Sequence, residues 1–234
     1  MNAPASSPAI TELDCMQLSI TEINRALRAL PDGAHVRITN PRGKHNLAVG
    51  LTRPMEITIE GNAGYYIAGL CDGPNVTVEG FVGWSVAENL MSGTVRVRGN
   101  ASESAGASSH GGMVIIEGDA SSRTGISLKG GTVCVAGSVG HMSGFMAQAG
   151  VILIGGDAGE ALGDSLYETV IYVGGSIKSL GSDARQEDLT QADVLRVKEL
   201  VEVCGFDHID PANVRRVASA KQLYNFSALK DQKY

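Results

Sequence analysis

Pairs of Val or Ile, separated by one residue and followed two residues later by glycine, recur along this chain. The pairs begin at Ile57, Val76, Val95, Val114, Val133, Ile152 and Ile171. Each starts 19 residues after the last, with no insertion or deletion. Alternation of apolar and other residues is the period of a β-strand, whose successive side chains point to opposite faces. A fixed period of this length predicts stacked, near-identical coils, an all-β solenoid of about seven turns. At about 4.8 Å per coil the rod would be roughly 34 Å long.

Numbered within a coil, positions 1 and 3 are always Val or Ile, which predicts two inward columns of branched side chains. Position 5 is always glycine, Gly61, Gly80, Gly99, Gly118, Gly137, Gly156 and Gly175, as expected if each coil turns a corner there with unusual φ/ψ. Position 12 is always small, from Ala68 and Ala87 through Gly106, Gly125, Gly144 and Gly163 to Ser182. Position 18 is glycine in four coils. Three corners per coil describe a β-helix whose strands pair in parallel.

The flanks read differently. Residues 1–10 look like a frayed tail. Ser-Ile-Thr-Glu from Ser19 fits a capping box, and Ile20, Ile23, Leu27 and Leu30 follow at helical spacing until Pro31. Residues 34–56 predict a short strand and an irregular lead-in coil. Thr190 to Asp193 opens a second helix, with Val194, Val197, Leu200, Val201 and Cys204 on one face and Gly205 as its stop. Asp210-Pro211 predicts a third, short helix to about Leu223. The expected domains are 1–34 for the tail and capping helix, 35–188 for the β-helix and 189–234 for a helical extension. The flanks would cover the open ends of the rod, whose unpaired strand edges otherwise invite association.

Outward positions should be polar on a solvated rod. Position 2 is polar in Thr58, Thr77 and Arg96, then turns apolar in Ile115, Cys134, Leu153 and Tyr172. Met113, Val151 and Val170, two residues earlier on the same face, extend the patch. Such a patch is not left bare on a soluble protein. Either the chain's own C-terminal helix covers it or a partner does, so these seven residues are the interface candidates.

Composition narrows the function. Thirty glycines against four phenylalanines and one tryptophan point away from an ordinary globular core. A net charge of −6 with mixed signs argues against nucleic acid as a partner. The one basic concentration, Arg37, Arg42, Lys44, His45 and Arg53, reads as a solvated loop, because no glycine-rich turn leads from it into a helix. No apolar run is long enough to cross a membrane and the start lacks a secretory pattern, so a cytoplasmic protein is expected. Cys15, Cys71, Cys134 and Cys204 are dispersed and read as free thiols.

Candidate chemistry is sparse. His35, His45, His110, His141 and His208 share no column, so no metal site is expected. No GxSxG, HExxH, CxxC or GxxxxGK[ST] occurs. Glu60, Glu79 and Glu117 share an outward column that Arg98 interrupts, which reads as a charge ladder before it reads as paired catalytic carboxylates. A hexapeptide-repeat acyltransferase is disfavoured because 19 is not a multiple of six. A free-standing binding solenoid would need a repeated outer face, and these outward columns are heterogeneous.

The spacing Gly-x-x-Gly-x-x-x-Gly, in Gly137-Ser-Val-Gly140-His-Met-Ser-Gly144 and again from Gly156 to Gly163, resembles the GXGXG family. That family comprises the right-handed β-helix domain ending the glutamate synthase large subunit and separate subunits of related complexes. The resemblance covers about residues 35–188. It implies a right-handed parallel β-helix and a non-catalytic part of a multi-subunit enzyme. Among stand-alone members the chain looks most like the small subunits of N-methylglutamate synthases, and subunits of formylmethanofuran dehydrogenases are similar over the coils. The implied partners are an amidotransferase-like subunit and an FMN-dependent synthase subunit, in a hetero-oligomer. FMN and an iron–sulfur cluster are then expected on a partner and none on this chain. No catalytic, cofactor or metal residue of the family maps onto the sequence.

Overall fold

The computed structural model describes residues 9–222. One eleven-stranded sheet runs its length. Its strands are β1 (Ile10–Asp14), β2 (Ala34–Thr39), β3 (Met55–Ile59), β4 (Asp72–Val78), β5 (Ser92–Val97), β6 (Met113–Ile116), β7 (Lys129–Val135), β8 (Ala149–Ile154), β9 (Val170–Val173), β10 (Ala184–Glu187) and β11 (Arg215–Ser219). From β3 to β9 the register is the sequence period itself: Ile57 pairs with Val76, Val76 with Val95, and so on to Ile152 with Ile171, all in parallel. The chain is a β-solenoid of about seven turns.

All fourteen residues at positions 1 and 3 are buried in one continuous core. Burying each such branched side chain contributes about 1.5–3 kcal/mol, which makes these columns the main apolar support of the rod. Position 7, from Ala63 and Val82 to Ala158, is a third buried column, and two more complete the interior. Position 11 supplies Ile67, Val86, Ala105, Thr124, Ser143 and Leu162, and position 15 supplies Cys71, Leu90, Ser109, Leu128, Ala147 and Leu166. Their mixture of apolar and hydroxyl residues hides them from a hydropathy reading. The buried hydroxyls are satisfied locally, as Thr124 Oγ1 donates to the Ser121 carbonyl at 2.9 Å and Ser143 Oγ to that of Gly140 at 3.0 Å.

The position-5 glycines are required for a reason other than the one their corner suggests. Only Gly61 among them has a positive φ, of 125°. The rest are held by close approach between coils: a Cβ on Gly156 would sit 2.8 Å from the carbonyl carbon of Gly137, and one on Gly175 only 2.5 Å from that of Gly156. Position 12, by contrast, is left-handed from Ala68 to Gly163, as positions 10 and 14 are. Gly125 has φ 69°, and a Cβ there would meet Ile152 Cδ1 at 2.6 Å.

Beside the glycines a polar ladder links successive coils. Asn100 Oδ1 accepts from the Asp119 amide, Asp119 Oδ1 from that of Ser138, Ser138 Oγ from that of Asp157, and Asp157 Oδ1 from that of Ser176. Each bond spans one 19-residue step and satisfies a backbone donor left free at the corner.

The first helix is as the sequence predicts. α1 (Ile20–Ala29) opens with a Ser19/Glu22 capping box and buries Ile23 and Leu27. It closes the N-terminal end of the rod, with Asn24 Nδ2 donating to the Asn46 carbonyl at 2.7 Å and Arg28 to that of Val49 at 3.0 Å. Most of the basic concentration serves the same end. Lys44 donates to the Cys15 carbonyl, Arg53 to that of Leu30, and Arg37 pairs with Glu12.

Two flanking expectations are corrected. The tail is not frayed throughout, because β1 pairs in parallel with β2, Ile10 opposite His35; residues 1–8 lie outside the described part. The short strand expected within residues 34–56 is β2, which pairs in parallel with β3 at Val36 and Ile57. The helix expected after Asp210-Pro211 is instead a turn leading into β11, with Asp210 Oδ1 accepting from the Ala212 amide at 3.0 Å. β11 runs antiparallel between β9 and β10. The bare edge of β9 is the physical reason: pairing with it satisfies backbone groups and buries Val217 in the core, which a short helix could not do. The end of the expected helix near Leu223 lies outside the described residues.

Candidate interaction surface

Helix α2 (Gln191–Cys204) starts at a Thr190/Asp193 capping box and ends at Gly205 in the left-handed conformation, φ 77°. Val197, Leu200, Val201 and Cys204 face one way, and the loop after the helix adds Phe206, Ile209 and Val214. These side chains bury Ile115, Cys134, Leu153 and Tyr172 in a second core, with Met113, Val151 and Val170 packed at its margin. The seven sequence-derived interface candidates are therefore covered by the chain's own extension. They are corrected as a partner surface: an apolar stripe on the rod and one on a tethered helix meet intramolecularly without the entropy of bringing two molecules together.

Polar clamps hold both ends of α2. Tyr172 Oη donates to Asp193 Oδ1 at 2.5 Å, and Arg216 Nε donates to the same oxygen at 3.1 Å. Burial alone would raise the Asp193 carboxyl, yet donors from Thr190, Tyr172 and Arg216 outweigh it and hold the pKa at about 2. Burial first, and then the hydrogen bond to Asp193, push the Tyr172 phenol up. At the other end, Arg96 donates to the Cys204 carbonyl at 3.1 Å and pairs with Glu117 at 2.6 Å. This uses the helix's negative C-terminus as its counter-charge. The outward Glu column is spent the same way: Arg98 reaches Glu117 at 2.6 Å and Glu79 at 4.0 Å, and Arg37 reaches Glu60 at 3.5 Å.

What remains exposed is elsewhere. The rings of Tyr65 and Trp84, at position 9, stack along the rod with that of His45 from the lead-in coil, with centroids 4.3 and 5.1 Å apart and interplanar angles of 13°. The stack is fixed by the coil spacing and by the Tyr65 amide donating to His45 Nδ1 at 2.9 Å. Tyr66, Leu70, Phe81 and Met91, in the same early coils, are also exposed. Sequence reading missed this surface because no aromatic recurs in all coils. The signal was available in the single 19-residue step from Tyr65 to Trp84. Grooves flank it, one lined by Pro41, Arg42, Glu60, Asn62 and Phe81, another by Asn46, Tyr66, Leu70 and Glu88.

Among the described residues no group of three or more His, Cys, Asp or Glu is placed to hold a metal. No helix there is long and apolar enough to cross a membrane.

No family model matches the chain. It is 43% identical over 64 residues to Protein GlxC of Rhizobium meliloti (strain 1021), a stretch covering 26% of this chain and 28% of that protein. The chain thus matches little more than a quarter of that relative.

Proposed function

We propose that this chain is a non-catalytic structural subunit of a glutamate synthase-like complex, bridging an amidotransferase-like subunit and an FMN- and iron–sulfur-containing synthase subunit. Within that class the reading favoured is N-methylglutamate synthase, which forms N-methylglutamate and ammonia from methylamine and glutamate. The observation that carries the reading is the exposed aromatic face of the early coils, His45, Tyr65, Trp84 and Phe81, on a rod whose other outward apolar patch is already covered by α2. Large aromatic side chains left at the surface of a rigid scaffold are the residue types that anchor protein interfaces. The GXGXG resemblance supplies the class of complex, and the partial likeness to Protein GlxC supplies a relative in which the same test can be run. FMN, the cluster and the reacting groups belong to the partners in this reading, and the chain's own residues hold those partners in place.

The test is purification of the natively expressed protein with whatever accompanies it. Recovery with an amidotransferase-like chain and a flavin-containing chain, and loss of one of them on Trp84→Ala with Tyr65→Ala, is the expected result. A lone monomer at every salt concentration would overturn the proposal.

A further inference from the structure

Among the described residues one buried side-chain polar atom has no hydrogen-bond partner, the hydroxyl oxygen of Thr169. Thr169 is 1% exposed and stands just before β9, at position 18, where four earlier coils carry glycine. A hydroxyl taken out of water without a partner is costly, so such an orphan marks a place for a bonding group from outside the chain.

Thr169 lines a cleft of about 270 Å³ together with Arg185 on β10, Arg216 on β11 and Lys221 just after β11. Two carboxylates, Glu168 and Glu187, line it as well. Both Glu187 oxygens are engaged: Oε1 accepts from Arg185 Nε at 2.8 Å, and Oε2 accepts from Arg216 Nη1. Arg216 Nε is given to Asp193 at 3.1 Å, and Lys221 Nζ pairs with Glu168 at 3.4 Å. A guanidinium carries five N–H groups and an ammonium three, so each cation keeps donors beyond those its carboxylates take. Three cations against two carboxylates, beside an unpartnered hydroxyl, give the cleft a surplus of both donors and positive charge.

We propose that this cleft binds a small oxyanion, the phosphate or carboxylate group of a low-molecular-weight ligand, with Thr169 and the surplus donors of Arg185, Arg216 and Lys221 as its contacts. An oxyanion supplies several acceptors at once and suits charge-assisted bonds from guanidinium groups. The cleft falls below the roughly 300–1,000 Å³ of sites for larger molecules, which fits a small ion. Sequence distance conceals the site. Thr169 comes from the repeat and Arg216 from β11, and the pairing of β9, β11 and β10 brings them together. The inference is independent of the proposed complex.

The test is calorimetric titration of the full-length chain with inorganic phosphate and, separately, with succinate, at ionic strength held constant with chloride. The expected result is saturable binding of one ion per chain, and the ion that saturates at lower concentration identifies the ligand group. Tm should rise by roughly 3–6 °C at ten times the dissociation constant. Thr169→Val keeps the shape of the side chain and removes its donor, and Arg185→Gln removes a cation; each should weaken binding by roughly tenfold. Arg123→Gln, at an exposed arginine of an earlier coil outside the cleft, should leave binding unchanged. No saturation by either ion below about 10 mM would overturn the proposal, and the wild-type chain alone decides that. Undiminished affinity in Thr169→Val, or equal weakening in Arg123→Gln, would also overturn it, by placing the anion elsewhere on the surface.

Discussion

Tyr172 and Asp193 meet at 2.5 Å across the seam between rod and extension, the phenol on β9 donating to the carboxylate in the first turn of α2. The same carboxylate caps the helix through Thr190 and takes a donor from Arg216 on β11. One side chain thus joins the last full coil, the covering helix and the closing strand. Removing Asp193 leaves four donors on three residues short at once, while removing the Tyr172 hydroxyl leaves the carboxylate two other partner residues, Thr190 and Arg216. Asp193→Ala should therefore cost about 3–4 kcal/mol and Tyr172→Phe about 1 kcal/mol, read from urea unfolding midpoints.

Acid should erase that difference. Asp193 has its folded pKa lowered to about 2, so its contribution is fully present above its unfolded value near 3.8 and is lost as pH falls towards 2. The carboxylate is largely buried, and the linked stabilisation is about 2 kcal/mol at neutral pH. Stability of wild type and Asp193→Asn should differ above pH 5 and converge between pH 4 and 2. A constant gap through that range would show the carboxylate charge to be irrelevant.

Leu200 lies on α2 in the second core. A charge there has no partner among apolar side chains, so Leu200→Asp should lift the helix from Ile115, Cys134, Leu153 and Tyr172. Increased binding of a hydrophobic dye, with strand content unchanged by circular dichroism, is the expected result. Unchanged dye binding would mean that the rod does not depend on α2 for cover.

Glycine at position 5 should resist even the smallest side chain. Gly156→Ala places a Cβ 2.5 Å from Ser138 Oγ and 2.8 Å from backbone, which should cost about 1–3 kcal/mol in thermal or urea unfolding. Thr77→Ala, on the outer face of the same sheet, should stay within about 0.5 kcal/mol.

Arg96 satisfies carbonyls at the C-terminal end of α2 and is itself paired with Glu117. Arg96→Ala should leave the rod intact and speed amide exchange in the last turn of α2, by roughly tenfold for a loss of about 1.4 kcal/mol of local stability. Equal acceleration in the core strands would point to global destabilisation instead.

The repeat made the inward columns legible: Ile57, Val76 and their successors are buried as their period demands, and both helices open at the capping boxes written in the sequence. The position-5 glycines were placed correctly but for another cause, since approach between coils depends on a neighbour 19 residues away and not on local φ. β11 was misread because its strand character depends on the free edge of β9, which no local window contains. The apolar stripe from Ile115 to Tyr172 was visible, and the chain's tail was one of its two expected covers.

Local chemistry and a fixed period therefore determined that this chain is a stacked β-solenoid with a helix at each flank, because each coil repeats the same inward demand. Only the tertiary structure decided which outward surface is left open. By sequence alone the late-coil stripe could be covered by the extension or by a partner; in the folded chain Asp193, Arg96 and the apolar face of α2 around Leu200 fix the extension there, leaving His45, Tyr65 and Trp84 exposed on the early coils. That choice rests on contacts between residues up to 108 positions apart, and such contacts exist only once the rod has stacked.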